Sequence, residues 1–259
     1  MQPHETIRRA LRAANEAGRV GLVPFLTAGY PEADRFKDDL ATIAAVADVV
    51  EVGVPFSDPM ADGMTIQRSS RGALEQGVSL GWIFDRLEEA RGGIDAPVIL
   101  MSYLNPLLAH GYERVASRAL AAGVAGFIVP DLPWEESEEF GAPLAEAGLA
   151  LVQLVTPATP DARLSRLCSA SRGFVYAVTM RGITGGESAL PADTSAYLDR
   201  VRGASALPVC AGFGIRTAEQ VAEVGRHADG VIVGSALVEV LERGDDPAAF
   251  LESLVSAPG

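Results

Sequence analysis

Glu51, Asp58 and Asp62 stand close together in the stretch EVGVPFSDPMADG, and their surroundings differ in a way that matters for chemistry. Glu51 interrupts the apolar run ADVVEVG at 47 to 53. In an extended strand, side chains alternate between faces, so Val49, Glu51 and Gly53 share one face and Val50 and Val52 the other. A carboxylate on a buried face is costly unless it is paired or used. Burial raises its pKa, and a carboxyl group that can hold a proton near neutrality is suited to general acid and base catalysis. The plainer alternative is a structural Glu paired with an interior Arg or Lys. Asp58 and Asp62 follow among prolines and a glycine. They are either acids at the mouth of the same site or ordinary turn and cap residues.

A second set lies late in the chain: Gly185 and Gly186, then Gly212-Phe213-Gly214, then Gly234-Ser235. Glycines permit tight turns and let backbone N–H groups approach an anion closely. Phe25, Met101, Tyr103, Ile128, Tyr176 and Phe213 supply apolar and aromatic surface. Each alone reads as core. Together they suit a flat apolar substrate group.

These residues need a scaffold that brings them to one end. Eight short apolar runs recur, at 21 to 27, 47 to 53, 97 to 103, 126 to 131, 149 to 155, 173 to 179, 207 to 213 and 229 to 235. Between them lie amphipathic segments such as 33 to 45, 83 to 91, 112 to 122, 135 to 147, 162 to 170, 194 to 202 and 217 to 226, several with cap residues at their starts and Gly at their ends. Alternating strands and helices predict a parallel sheet, and eight units predict a single (β/α)8 barrel, an α/β fold spanning 1 to 259. An open doubly wound sheet would normally carry a glycine-rich loop after the first strand, where this chain has TAGYPEAD. The connections after the second and sixth runs, 54 to 80 and 180 to 192, are long, as befits the end where a barrel keeps its chemistry. In that frame Glu51 faces the interior near the carboxyl end. The glycines fall after strands six, seven and eight, where barrels commonly bind phosphate through amides and a helix N-terminus. Arg216 is the nearby base and no Lys occupies these loops, which favours one phosphate held by amides.

The 259 residues are 48% hydrophobic and 21% charged, enough for a large core. With 21 Lys and Arg against 34 Asp and Glu, the net charge of -13 argues against nucleic acid and an anionic membrane surface. No apolar segment has the length of a signal peptide core or a membrane span, so a cytoplasmic protein is expected. Cys168 and Cys210 show no metal or disulfide spacing and read as buried and inert, and His4, His110 and His227 stand apart, so no metal is expected.

With the residues placed, the chain resembles the tryptophan synthase α family from about Val23 through the final helix. The likeness rests on Val23-Pro24-Phe25 with Thr27, EVGVPFSDPMADG followed by TIQ, PDLPWEES, GITGG, AGFGI and VGSAL. The resemblance implies a cofactor-free retro-aldol cleavage of indole-3-glycerol phosphate into indole and glyceraldehyde 3-phosphate. It assigns Glu51 the proton shuttle and Asp62 the stabilisation of the indole N–H. It gives the phosphate to the amides of Gly185, Gly214, Gly234 and Ser235, with the Ser235 hydroxyl. Phe25, Tyr103, Tyr176 and Phe213 would bind substrate, and Thr184 would orient Asp62. It also implies a β subunit carrying pyridoxal phosphate, in an α2β2 complex, touching the loop at Asp58 and Pro59. Two residues depart from the pattern: Met64, where Pro is usual, and Arg181 before GITGG. Both concern loop closure and coupling to a partner. A stand-alone lyase, an idle allosteric partner and a sugar-phosphate isomerase are the rival readings.

Overall fold

The computed structural model describes residues 1–179, 193–212 and 214–255. Its eight strands are all parallel and close on themselves in chain order, β8 pairing back to β1. They are β1 (Gly21–Thr27), β2 (Val50–Gly53), β3 (Val98–Met101), β4 (Val124–Ile128), β5 (Ala150–Val155), β6 (Val175–Val178), β7 (Val209–Gly212) and β8 (Gly230–Val233). The eight predicted runs are these strands, most shorter by one to three residues at one or both ends. Nearly every strand residue is buried, because one face lines the barrel and the other lies under helices, as parallel sheets require. Pro24 sits where the pairing of β1 passes from β8 to β2, so its missing N–H coincides with a change of ladder.

Helix α1 (Pro3–Glu16) precedes the first strand and buries Ile7, Leu11 and Ala14. Ile7 and Leu11 join Val23, Val49, Ile99, Ala150, Val152, Phe174, Cys210 and Ile232 in the cluster that fills the barrel. The charged amphipathic N-terminus is thus the plug of the amino end. Leu22, Leu26, Val50, Val52, Leu100 and Phe127 point outward into the larger core beneath the surrounding helices. Among these are α2 (Phe36–Ala44), α3 (Met64–Glu75), α4 (Leu80–Ala90), α5 (Leu104–His110) and α6 (Tyr112–Ala121). They continue with α7 (Glu138–Glu146), α8 (Asp161–Ala170), α9 (Thr194–Ala204), α10 (Ala218–Val224), α11 (Ser235–Arg243) and α12 (Pro247–Val255). The long connection after β2, read from sequence as a loop, contains α3, and the turn after β3 contains α5. Cys168 and Cys210 are buried and free. Among the described residues no helix is long and apolar enough to cross a membrane.

Candidate active site

Glu51 lies in the middle of β2, in register with Phe25 of β1 and Ile99 of β3. Its side chain is 1% exposed, and among the described residues Oε2 has no hydrogen-bond partner. Val50 and Val52 pack outward while Val49 lies inside, so the period of two placed Glu51 correctly. No cation pairs with it among the described residues, and none of the fully buried polar residues is Lys or Arg. Loss of hydration raises its pKa to about 8, with the negative charge of Asp62 as the second cause. At neutral pH Glu51 therefore carries its proton.

Asp62 comes from the loop between β2 and α3, and that loop is folded back over the barrel mouth. The Asp62 N–H donates to the Pro59 carbonyl at 3.2 Å, and Gln67 Nε2 donates to the Asp62 carbonyl at 2.8 Å. Its carboxylate accepts a hydrogen bond of 3.0 Å from the Tyr103 hydroxyl. Burial raises its pKa to about 6, and the Tyr103 bond opposes the rise by favouring the charged form. Two carboxyl groups thus share one site with separated titrations, one protonated and one charged at pH 7.

Asp62 lines a narrow cavity of about 20 Å³, room for about one water molecule, together with Phe25, Thr27, Gly53, Val54, Ile66, Ser70, Met101, Ser102 and Tyr103; Glu51 is not in its wall, though its register neighbour Phe25 is. Two aromatic rings are accommodated by glycines on the next strand. A Cβ on Gly53 would stand 2.4 Å from Phe25 Cζ, and a Cβ on Gly212 would stand 2.4 Å from the Tyr176 Oη. In both cases the ring sits two residues before the glycine's register partner, Thr27 or Val178. The device is repeated on β1 to β2 and on β6 to β7, at the carboxyl end. Tyr176 and Ile128 belong to the barrel filling, at 3% and 0% exposure. Phe213 lies outside the described residues.

The helix start to which the sequence pattern assigns a phosphate lies beside Phe25. β8 stops at Val233 and α11 starts at Ser235, with Gly234 between. The Gly234 carbonyl accepts from Leu237 and Val238, while the first amides of the helix have no acceptor within it. A Cβ on Gly234 would be 3.9 Å from Phe25, so this helix terminus and the cavity are neighbours. Gly214 has φ of 87°, a conformation that suits glycine. Arg216 is turned to Glu239 of α11, whose other oxygen accepts a 3.2 Å bond from Thr65 of α3. Among the described residues of this end, Arg216 is thus engaged elsewhere, and what the start of α11 presents is its first amides and the helix dipole. Thr184, Gly185, Gly186 and Arg181 lie outside the described residues.

On the outer side of the same loop, Asp58 is exposed and accepts from Ser57 Oγ at 2.5 Å, Pro59 is partly exposed, and Met60 is 85% exposed. Met64 is the first residue of α3, after Gly63 with φ -75° and ψ 168°. Sequence reasoning placed Tyr103 in strand three as a wall. In fact β3 stops at Met101, Tyr103 precedes α5, and its hydroxyl is committed to the Asp62 loop. It also missed Thr27, Val54, Ile66 and Ser70 as lining residues, three of which depend on how α3 and its loop fold back. No residue-type pattern in the chain announces such a contact.

Comparison with known proteins agrees with this geometry. The family model for the tryptophan synthase alpha chain matches residues 11–257. The tryptophan synthase alpha chain of Nitratidesulfovibrio vulgaris is 44% identical over 248 residues, covering 95% of this chain and 96% of the relative. That of Roseiflexus castenholzii is 47% identical over 229 residues, 88% of each. Among solved structures, a Mycobacterium tuberculosis tryptophan synthase chain superposes with a TM-score of 0.89 at 34% identity, covering 96% of both. The alpha subunit from Legionella pneumophila gives 0.87 at 32%, covering 98% of this chain and 97% of that one.

Proposed function

The chain belongs to the tryptophan synthase alpha chain family, and from that premise we propose how its residues cleave indole-3-glycerol phosphate into indole and glyceraldehyde 3-phosphate. The observation that carries the reading is the fully buried Glu51 carboxyl, protonated at neutral pH and within the field of an ionised Asp62 that lines a cavity with Phe25 and Tyr103. Glu51 protonates indole C3, which leaves positive charge on the ring nitrogen. Asp62 stabilises that charge. The Glu51 carboxylate then takes the proton from the adjacent glycerol hydroxyl as the C–C bond breaks. The bonding electrons return to the ring, the aldehyde forms, and Glu51 regains its proton. The proton inventory closes, so the reaction requires neither water nor a cofactor in this chain.

Phe25, Tyr176 and Phe213 would flank the substrate, Thr184 would act on the loop side, and the amides of Gly185, Gly214, Gly234 and Ser235 would hold its phosphate. The partner in this reading is a β subunit that carries pyridoxal phosphate in an α2β2 complex, docking on the loop that exposes Asp58, Pro59 and Met60. The open helix terminus at Gly234 and the outward face of that loop support these assignments.

The test is indole release from indole-3-glycerol phosphate by the purified chain, with and without a β subunit from the same source. Slow release that rises strongly with the β subunit is expected. Fast release indifferent to it would assign an independent lyase, and no release under either condition would overturn the catalytic reading.

A further inference from the structure

The hydroxyl of Tyr103 has one proton and room for incoming donors, and both capacities are directed at the same loop. It donates to Asp62 Oδ2 at 3.0 Å and accepts the Ala61 N–H at 2.9 Å. An amide can only donate and a charged carboxylate can only accept, so the phenolic proton points at the carboxylate. The ring itself is held against Phe56, with centroids 5.2 Å apart and planes 29° from parallel, and is 7% exposed. Phe56 belongs to the same loop, so Tyr103 grips the segment from Phe56 to Asp62 at three points from a different βα unit.

We infer that Tyr103 is a positioning residue for the cleavage: its hydroxyl and ring hold the Asp62 loop so that the carboxylate stays aimed into the cavity. This inference rests on the role proposed above for Asp62. A hydrogen bond from a neutral donor to a carboxylate exists in full only while the carboxylate is charged, so removing it must make Asp62 easier to protonate. The titratable groups facing Asp62 are Glu51 from β2, Tyr103 after β3 and Tyr176 from β6, with Asp131 after β4 acting on Tyr103. Of these, Tyr103 alone lowers the Asp62 pKa. A residue that only filled space would leave that titration where it was.

Tyr103→Phe keeps the ring and its stacking on Phe56 and deletes only the hydroxyl. Its test is the carboxyl carbon-13 titration of Asp62 in parent and variant, with Asp62→Asn identifying the resonance, alongside the pH profile of indole release. The midpoint of Asp62 should rise by about one pH unit, as loss of a hydrogen bond to a charged group implies, and kcat/KM should fall by about twofold or more at pH 7 and by about tenfold on the acid limb. The acid limb of the profile should move up with the titration. An unchanged midpoint overturns the inference. A shifted midpoint in a protein that releases no indole would keep the Tyr103–Asp62 link and reject the proposed function instead.

Discussion

A glutamate in water has lost its proton well before neutrality, so a protonated Glu51 at pH 7 is a product of its position in β2. In the reaction proposed here Glu51 must begin protonated and Asp62 must begin charged. Activity should then rise with pH as Asp62 ionises near 6 and fall as Glu51 ionises near 8. A bell-shaped kcat/KM with those limbs is the expected profile, the two values belonging to the coupled pair. Glu51→Gln keeps the shape and removes the titrating group. It should lower kcat by at least about a hundredfold while substrate binding, followed by calorimetry, changes little. Near-parental turnover in that variant would remove Glu51 from the mechanism. Asp62→Asn should erase the acid limb and move the alkaline limb down, because the negative charge that helps hold the Glu51 proton is gone.

The elements that carry these residues were unequally legible in the sequence. β2 could be read from alternation because a strand has only two faces, and the choice of face followed once Val50 and Val52 were set against helices. The same holds for the eight-strand count. α3 was missed because its residues, MTIQRSSRGALE, are largely polar, and its buried face is made of Ser69, Ser70 and Ala73 rather than of large apolar residues. The grip of Tyr103 on Asp62 joins two βα units and has no local signature. The departure at Met64 also becomes clear only at this level. Met64 occupies the first position of α3, where proline loses no helix hydrogen bond, and the extended Gly63 before it suits a following proline. Met64→Pro should therefore be accepted and should raise stability by about 0.5–1 kcal/mol in urea unfolding, through the unfolded chain. A lowered stability would show that the loop needs the freedom Met gives it. The glycines under the rings predict the opposite sign. Gly53→Ala should destabilise the barrel by roughly 1–3 kcal/mol as Phe25 is displaced, and combining it with Phe25→Leu should restore much of that loss.

At the scale of the whole molecule, the group that makes the site reactive also works against the fold. The Glu51 carboxyl holds its proton up to about pH 8 in the folded barrel, whereas in the unfolded chain it titrates near 4.5. Below 4.5 it is protonated in both states and nothing is lost. Between 4.5 and 8 the unfolded chain gains ionisation that the folded chain does not, so folding weakens by about 1.4 kcal/mol per pH unit. At pH 7 the deficit is on the order of 3 kcal/mol, a large part of the 5–15 kcal/mol that stabilises an ordinary domain. Asp62, raised to about 6, adds a smaller effect of the same sign. Because the chain carries a net charge of -13, its stability will vary with pH for many other reasons. The difference between Glu51→Gln and the parent at each pH cancels that background. The variant should be the more stable protein by roughly 2–4 kcal/mol at pH 8, with the gap narrowing steadily toward pH 5, as read from urea unfolding at fixed pH. A gap that does not change with pH would mean that Glu51 titrates alike in both states, and the buried proton on which the cleavage depends would have to be given up with it.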